Sequence, residues 1–212
     1  MNCFRLHTLV FAVFSLLTAS GIHADPPERI TTDGRMKQDL CFTHDSQDLI
    51  YSVLKTAQLI KLQRLNLQSS EITDFHINAN TNESHIDFSK DMKYYAFVRN
   101  DGNLHTSVQV QDVVAGETYN LNPGGGFACV RALTISPNGK SVVYAFPDSN
   151  GSQQLWQTDI QLQNKVALTN SDYIDAHPRF SPTGNRLAFT STRSGNFDIY
   201  RMAADGSAML QL

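Results

Sequence analysis

At 212 residues, with 41% hydrophobic and 17% charged positions, the chain has the length and composition of a globular protein with a core of its own, which excludes a disordered polymer. A formal net charge of −3, with Lys and Arg scattered along the chain, leaves no basic footprint for nucleic acid and none for an anionic membrane surface.

The chain opens on a basic start at Arg5 and His7, an apolar run from Leu9 to Leu17, and a small-residue exit ending at Ala24 before Asp25-Pro26-Pro27. That layout predicts a secretory signal peptide over 1–24, cut after Ala24, and a mature chain over 25–212 in the periplasm or outside the cell. The apolar run is far short of the roughly 20 residues that a spanning helix needs, so no membrane span is expected. No cysteine follows the exit, which argues against a lipoprotein anchor.

Beyond the leader one phrase returns four times: FTHDSQDLIY from Phe42, FSKDMKYYAF from Phe88, ISPNGKSVVY from Ile135 and FSPTGNRLAF from Phe180. The starts lie roughly 46, 47 and 45 residues apart, the period of a four-stranded propeller blade. In each copy an apolar residue ends one strand, a hydroxyl residue and a polar turn reverse the chain, and a second apolar run follows. The turns are Asp45-Ser46, Asp91-Met92, Asn138-Gly139 and Thr183-Gly184, and tight reversals of this kind call for a positive φ. A third run follows about ten residues later, at Leu59–Leu65, Val108–Val110, Leu155-Trp156 and Ile199–Met202. A fourth closes at Ile72-Thr73, Leu121-Asn122, Leu168-Thr169 and Leu212. The stretch from Lys55 to Leu67 carries an ambiguous period and is assigned to strand by its phase in the repeat. The expected fold is all-β: a propeller of four-stranded antiparallel blades, about four of them, forming an incomplete ring. Arg29-Ile30-Thr31 repeats the fourth-strand signature and predicts one additional strand ahead of the first blade. Exposed blade ends in such an array predict self-association.

Once the leader is removed, Cys41 and Cys129 are left, and their repeat positions in the first and third blades argue against a disulfide and for two isolated, buried thiols. Asp39, His85 and His177 each stand three residues before the repeat phrase, with Ala132 there in the remaining copy. Inner strands line a propeller channel, so these three are expected as polar lining; a divalent-metal set is the sharper alternative, and no metal, cofactor or catalytic residue is assigned. Arg193 and Asp198 flank the last hairpin and are expected to pair and pin it. Pro123-Gly-Gly-Gly126 lacks the Lys and the helix of a phosphate cradle and reads as a connection. His44, Asp45 and Ser46 sit where the other copies have ordinary turn residues. Asn82-Glu-Ser84 and Asn150-Gly-Ser152 are glycosylation triplets that matter only on a eukaryotic secretory route.

The last copy, DAHPRFSPTGNRLAFTSTRSGNFDIYRMAADGS after Leu168-Thr169, resembles the TolB-type propeller repeat. The likeness is carried by Pro178, Phe180, Ser181, Pro182, Gly184, Leu187, Ala188, Phe189, Ser191, Arg193, Gly195, Asp198, Ile199, Tyr200, Asp205 and Gly206. The third copy keeps Ser136-Pro137, Gly139 and Leu155-Trp156, and the first two are eroded. The resemblance implies a propeller serving protein recognition in the periplasm or the gating domain of a larger peptidase. TolB proper has a separate α/β domain ahead of its propeller, which the short lead here does not supply. The peptidases carry a G-x-S-x-G element, and this chain has none. The expected function is therefore an exported protein-binding scaffold without catalysis of its own; the alternative is the propeller of a secreted hydrolase or carbohydrate-active enzyme.

Overall fold

A computed structural model describes residues 27–102, 105–124 and 128–212. The expected leader with its cut after Ala24, and the glycines at 125 and 126, lie outside the described residues. Pro27–Thr32 carries no strand, so the additional strand expected at Arg29-Ile30-Thr31 is not formed; Ile30 is exposed and has no ladder partner. No helix among the described residues is long and apolar enough to cross a membrane.

Residues 33–212 form one compact unit of four antiparallel four-stranded sheets, each in simple meander order. The first blade is β1 (Lys37–Phe42), β2 (Asp48–Thr56), β3 (Leu59–Asn66) and β4 (Ile72–Asp74). The second is β5 (Asn82–Phe88), β6 (Tyr94–Asn100), β7 (Thr106–Asp112) and β8 (Glu117–Leu121). The third is β9 (Leu133–Ile135), β10 (Ser141–Pro147), β11 (Gln153–Asp159) and β12 (Val166–Ala167). The fourth is β13 (Asp175–Phe180), β14 (Arg186–Ser191), β15 (Asp198–Ala203) and β16 (Leu210–Gln211). Inner strands meet in chain order, β1 with β5, β5 with β9 and β9 with β13, which makes the array an open arc. The ambiguous stretch after Lys55 is β3, joined to β2 by a tight turn at Ala57-Gln58.

The repeat phrase is a hydroxyl-clasped turn. Thr43, Ser89, Ser136 and Ser181 each accept the N–H that opens the second strand, from Asp48 at 3.0 Å, Tyr94 at 2.9 Å, Ser141 at 2.9 Å and Arg186 at 3.2 Å. The same hydroxyls donate to Asp45, Asp91, Asn138 and Asn185 two or four residues on. The required positive φ falls on Ser46, Met92, Gly139 and Gly184. At Gly139 a Cβ would come within 2.8 Å of the Tyr94 ring, so glycine there serves both the turn and the close approach of the second and third blades.

Alternation along the second strands builds the junctions. One face presents an aromatic (Phe97, Tyr144, Phe189), and the adjacent residue on the opposite face is small or aliphatic (Ala96, Val143, Ala188). Thus Ala96, Val98, Val108 and Val110 pack against Val142, Tyr144 and Phe146, while Val143, Ala145 and Leu155 pack against Leu187, Phe189, Tyr200 and Met202. Large against small at these two junctions lets the blades interdigitate. On the fourth blade the corresponding small-residue face carries Ala188, Thr190 and Ile199, and Ile199 is 56% exposed.

Candidate functional site at the axial mouth

Each inner strand except the third bends at a β-bulge three residues before the phenylalanine that closes it. Register shifts fall between Gln38 and Cys41, Ser84 and Asp87, and Ala176 and Arg179, opposite the aromatics Tyr51, Phe97 and Phe189. The bulged residues are Asp39, His85 and His177, with φ of 55°, 52° and 52°. Their shared repeat position is therefore a shared backbone device that re-aims one side chain per strand out of the ladder. Ala132 stands just ahead of β9, has no such positive φ, and brings no polar group.

Two of the three meet. His85 Nε2 lies 3.3 Å from Asp39 Oδ1, whose other oxygen accepts from the Ser52 hydroxyl at 2.9 Å. Burial pushes the His85 imidazole below its ordinary pKa, against the pull of Asp39, with Arg179 and His177 adding to the downward push. His177 instead bonds Thr190 at 3.1 Å and joins neither of the others. Among the described residues no group of three His, Cys, Asp or Glu is arranged to hold a metal ion.

The residues immediately before the phrase, two beyond the bulge, were not singled out by sequence and do more. Cys41, Asp87, Thr134 and Arg179 come one from each blade and converge on Asp87. Its Oδ2 accepts from the Thr134 hydroxyl at 2.7 Å and the Ile135 N–H at 3.1 Å, and stands 3.8 Å from the Arg179 guanidinium. Its Oδ1 faces Cys41 Sγ at 3.9 Å, and Arg179 also donates to the Leu133 carbonyl at 3.2 Å. Burial, with the nearby Asp87 charge, pushes the Cys41 thiol up to about 12, so it stays neutral and unreactive. The signal that finds this network is a column of the repeat: the residue preceding Phe42, Phe88, Ile135 and Phe180.

Above the network the turns open a mouth of about 480 Å³, lined by all four blades, with Leu40, Phe42, His44 and Pro137 among its walls. Leu40 and Phe42 are each 62% exposed. His44 is a wall residue, and the Asp45 side chain is spent on Thr43 and the Gln47 N–H, so the His/Asp/Ser cluster of this turn is structural.

The expected hairpin pair needs correction. Arg193 bonds not Asp198 but the fully buried Asp175 at 2.7 Å, while Asp198 receives the Ser194 hydroxyl and the Gln211 amide. The reason is distance in fold, not sequence: Arg193 turns inward to neutralise a carboxylate at the start of β13 that burial would otherwise leave unpaired. Cys41 and Cys129 are free thiols, and Cys129 is exposed, against the expectation that both are buried.

Residues 80–212 match the family described as TolB beta propeller domain. The Tol-Pal system protein TolB of Ruegeria sp. (strain TM1040) is 37% identical over 83 residues, 39% of this chain and 17% of that protein. Its counterpart in Cereibacter sphaeroides (strain ATCC 17029 / ATH 2.4.9) is 36% identical over 90 residues, 42% of this chain and 19% of that protein. Among solved structures, TolB from Acinetobacter baumannii superposes with a TM-score of 0.72 at 17% identity, covering 89% of this chain and 46% of that one. A putative TolB from Agrobacterium tumefaciens gives 0.69 at 18%, covering 82% and 64%. These structural likenesses show the fold, and the chain spans less than two thirds of the relatives it matches.

Proposed function

The chain belongs to the TolB beta propeller family, and on that premise we propose that it is an exported binding scaffold, without catalysis of its own, that receives a protein segment at the axial mouth. The observation that supports this reading is the construction of the mouth. Its polar floor is internally satisfied around Asp87, whereas its rim leaves Leu40 and Phe42 in water. A floor so fixed holds shape, and exposed apolar anchors beside one guanidinium suit a partner's apolar side chain. Asp39, His85 and His177 serve as polar lining behind that mouth. The leader is removed after Ala24 and delivers the protein to the periplasm or beyond. Copies associate through the open face of the fourth blade around Ile199.

The test is a photo-crosslinking amino acid placed at position 42 in the exporting cell. A single discrete adduct, lost in Leu40→Asp and absent when the probe sits at the still more exposed Ile77, supports the mouth as the binding surface. An adduct of the same mass from position 77, or none from 42, refutes it. N-terminal sequencing of the exported protein should begin at Asp25. Sedimentation velocity should show dimers that Ile199→Asp abolishes; a concentration-independent monomer removes the self-association.

A further inference from the structure

Asn-Gly occurs twice in the chain, at Asn138-Gly139 and Asn150-Gly151, and both pairs lie in hairpin turns of the third blade. The first joins β9 to β10 and the second joins β10 to β11. The two turns are built alike. Each glycine takes a positive φ, 65° and 85°, and its N–H closes on the carbonyl three residues back, at 2.8 and 3.1 Å. Both asparagines are exposed, so exposure does not separate them. What separates them is the hold on the side chain. The Asn138 Oδ1 accepts from the Ser136 hydroxyl at 2.8 Å and from the Lys140 N–H at 3.1 Å. Gly139 is buried, and the Tyr94 ring stands 2.8 Å from the place its Cβ would take. The Asn150 side-chain amide has no hydrogen bond among the described residues; only its backbone N–H is engaged, with Asp148 Oδ1 at 2.8 Å. Gly151 is exposed, with no atom beyond its chain neighbours within 4 Å of its Cβ position.

An asparagine followed by glycine can close its side chain on the next backbone nitrogen, because no Cβ screens that nitrogen from Cγ. Closure requires Cγ to turn onto the nitrogen and the peptide plane to tilt. At Asn138 that movement breaks two hydrogen bonds and tilts the plane beside the Tyr94 ring; at Asn150 it breaks no side-chain bond and meets open space. We propose that Asn150 is a site of spontaneous deamidation to isoaspartate and aspartate, and that its twin at Asn138 is protected by the fold. In the first step the Gly151 nitrogen gives its proton to hydroxide and forms a bond to Asn150 Cγ. The Cγ–Nδ2 bond breaks, and ammonia leaves with a proton taken from water. Water then opens the five-membered imide, at the backbone carbonyl to give isoaspartate or at Cγ to give aspartate. No oxidant or reductant takes part. The product is a new carboxylate beside Asp148, whose Oδ1 already closes the turn on the N–H groups of Asn150 and Ser152. The ladder from Ser141–Asp159 to Pro147–Gln153 lies outside the turn and stays paired. The third blade thereby gains a one-way negative charge at one hairpin tip, and this holds whatever the axial mouth receives.

The two pairs make the chain its own control. The full chain is held in warm, mildly alkaline buffer, once native and once in urea, and sampled over weeks by peptide mass spectrometry that reads each asparagine separately. In the native chain Asn150 should react about tenfold or more faster than Asn138, the scale of two neutral hydrogen bonds broken before closure. In urea the two rates should converge, because both sites are then plain Asn-Gly peptides. The native rate at Asn150 should rise with pH, as the lost glycine proton requires. Isoaspartate is counted with an isoaspartyl carboxyl methyltransferase and labelled S-adenosylmethionine, and Asn150→Gln should remove most of that label with an unchanged melting temperature. Equal native rates, a faster Asn138, or a difference that persists in urea overturns the proposal. So does a native Asn150 still intact when the urea sample has lost both asparagines, or a label undiminished in Asn150→Gln.

Discussion

Between the second and third blades the packing is mainly aliphatic: Ala96, Val98, Val108 and Val110 against Val142, with the Tyr144 and Phe146 rings buried among them. Between the first and second it is aromatic and polar. Phe75, Phe88, Tyr95 and Phe97 surround His76, whose ring bonds Glu83 at 2.9 Å and the Tyr95 hydroxyl at 2.9 Å. Burial pushes the Tyr95 hydroxyl up to about 12, with the Glu83 charge adding to it, so it remains a donor to His76 at neutral pH. An aliphatic junction accepts any residue of suitable volume, and the copies beyond it, the third and fourth, keep the repeat phrase best. A junction with a buried carboxylate needs each specified partner, and there the phrase is eroded. Repeat regularity in this chain therefore follows the chemistry of the neighbouring interface as well as the needs of the turn.

The comparison breaks most readily at Tyr144. Tyr144→Ala should cost about 3–5 kcal/mol in urea unfolding, because a fully buried ring leaves a cavity that β-strands cannot collapse to fill. A loss under about 1 kcal/mol would mean the aliphatic junction is not the core of the array. A double-mutant cycle of His76→Ala and Glu83→Ala should give a coupling of about 1–3 kcal/mol. Additive losses would reduce the polar junction to mere packing.

Acid should then distinguish the first blade from the rest. Burial opposes the charge of Asp74, but hydrogen bonds from Gln63, Lys55 and Lys61 outweigh it and hold the carboxyl at about 2. A carboxylate whose folded pKa is depressed adds stability above its unfolded value and loses it as pH falls through the folded one. Between about pH 4 and 2 the wild type should lose stability more steeply than Asp74→Asn, read from urea midpoints at each pH. Parallel profiles would show that these lysines are not held to Asp74 in solution. The smallest effect, and one of opposite sign, belongs to Tyr144→Phe. The Tyr144 hydroxyl is buried without a partner among the described residues, so removing it should leave melting unchanged or raise it. A clear drop would reveal an ordered water bound there.

The strand order and the end of every inner strand were legible in the sequence, since the hydroxyl-clasped turns leave a phrase: Phe42, Phe88, Ile135 and Phe180 each close an inner strand. The contacts of Arg193 were not. Asp175 lies eighteen residues upstream and reaches Arg193 only because β13 and β14 pair. Asp39 and His85 were picked for a common repeat position, yet that position alone did not disclose a bulge, because positive φ at Asp or His leaves no compositional mark as glycine does. Gln153 gave no signal at all. An amide at the start of a strand is ordinary, and that its Nε2 is buried without a partner among the described residues shows only in the fold.

The bulges at Asp39, His85 and His177 also bear on how such an array is altered. A side chain lifted out of the ladder belongs neither to the cross-strand register nor to the aromatic–aliphatic layers between blades. It can be exchanged without repacking either, and residues that tolerate left-handed backbone, such as Asn or Gly, fit there at least as well. The frame and the bulged residues are therefore separable variables. One residue on each bulged inner strand acts as an interchangeable fitting on a fixed chassis, open to point changes that leave the ladder and the blade junctions as they are.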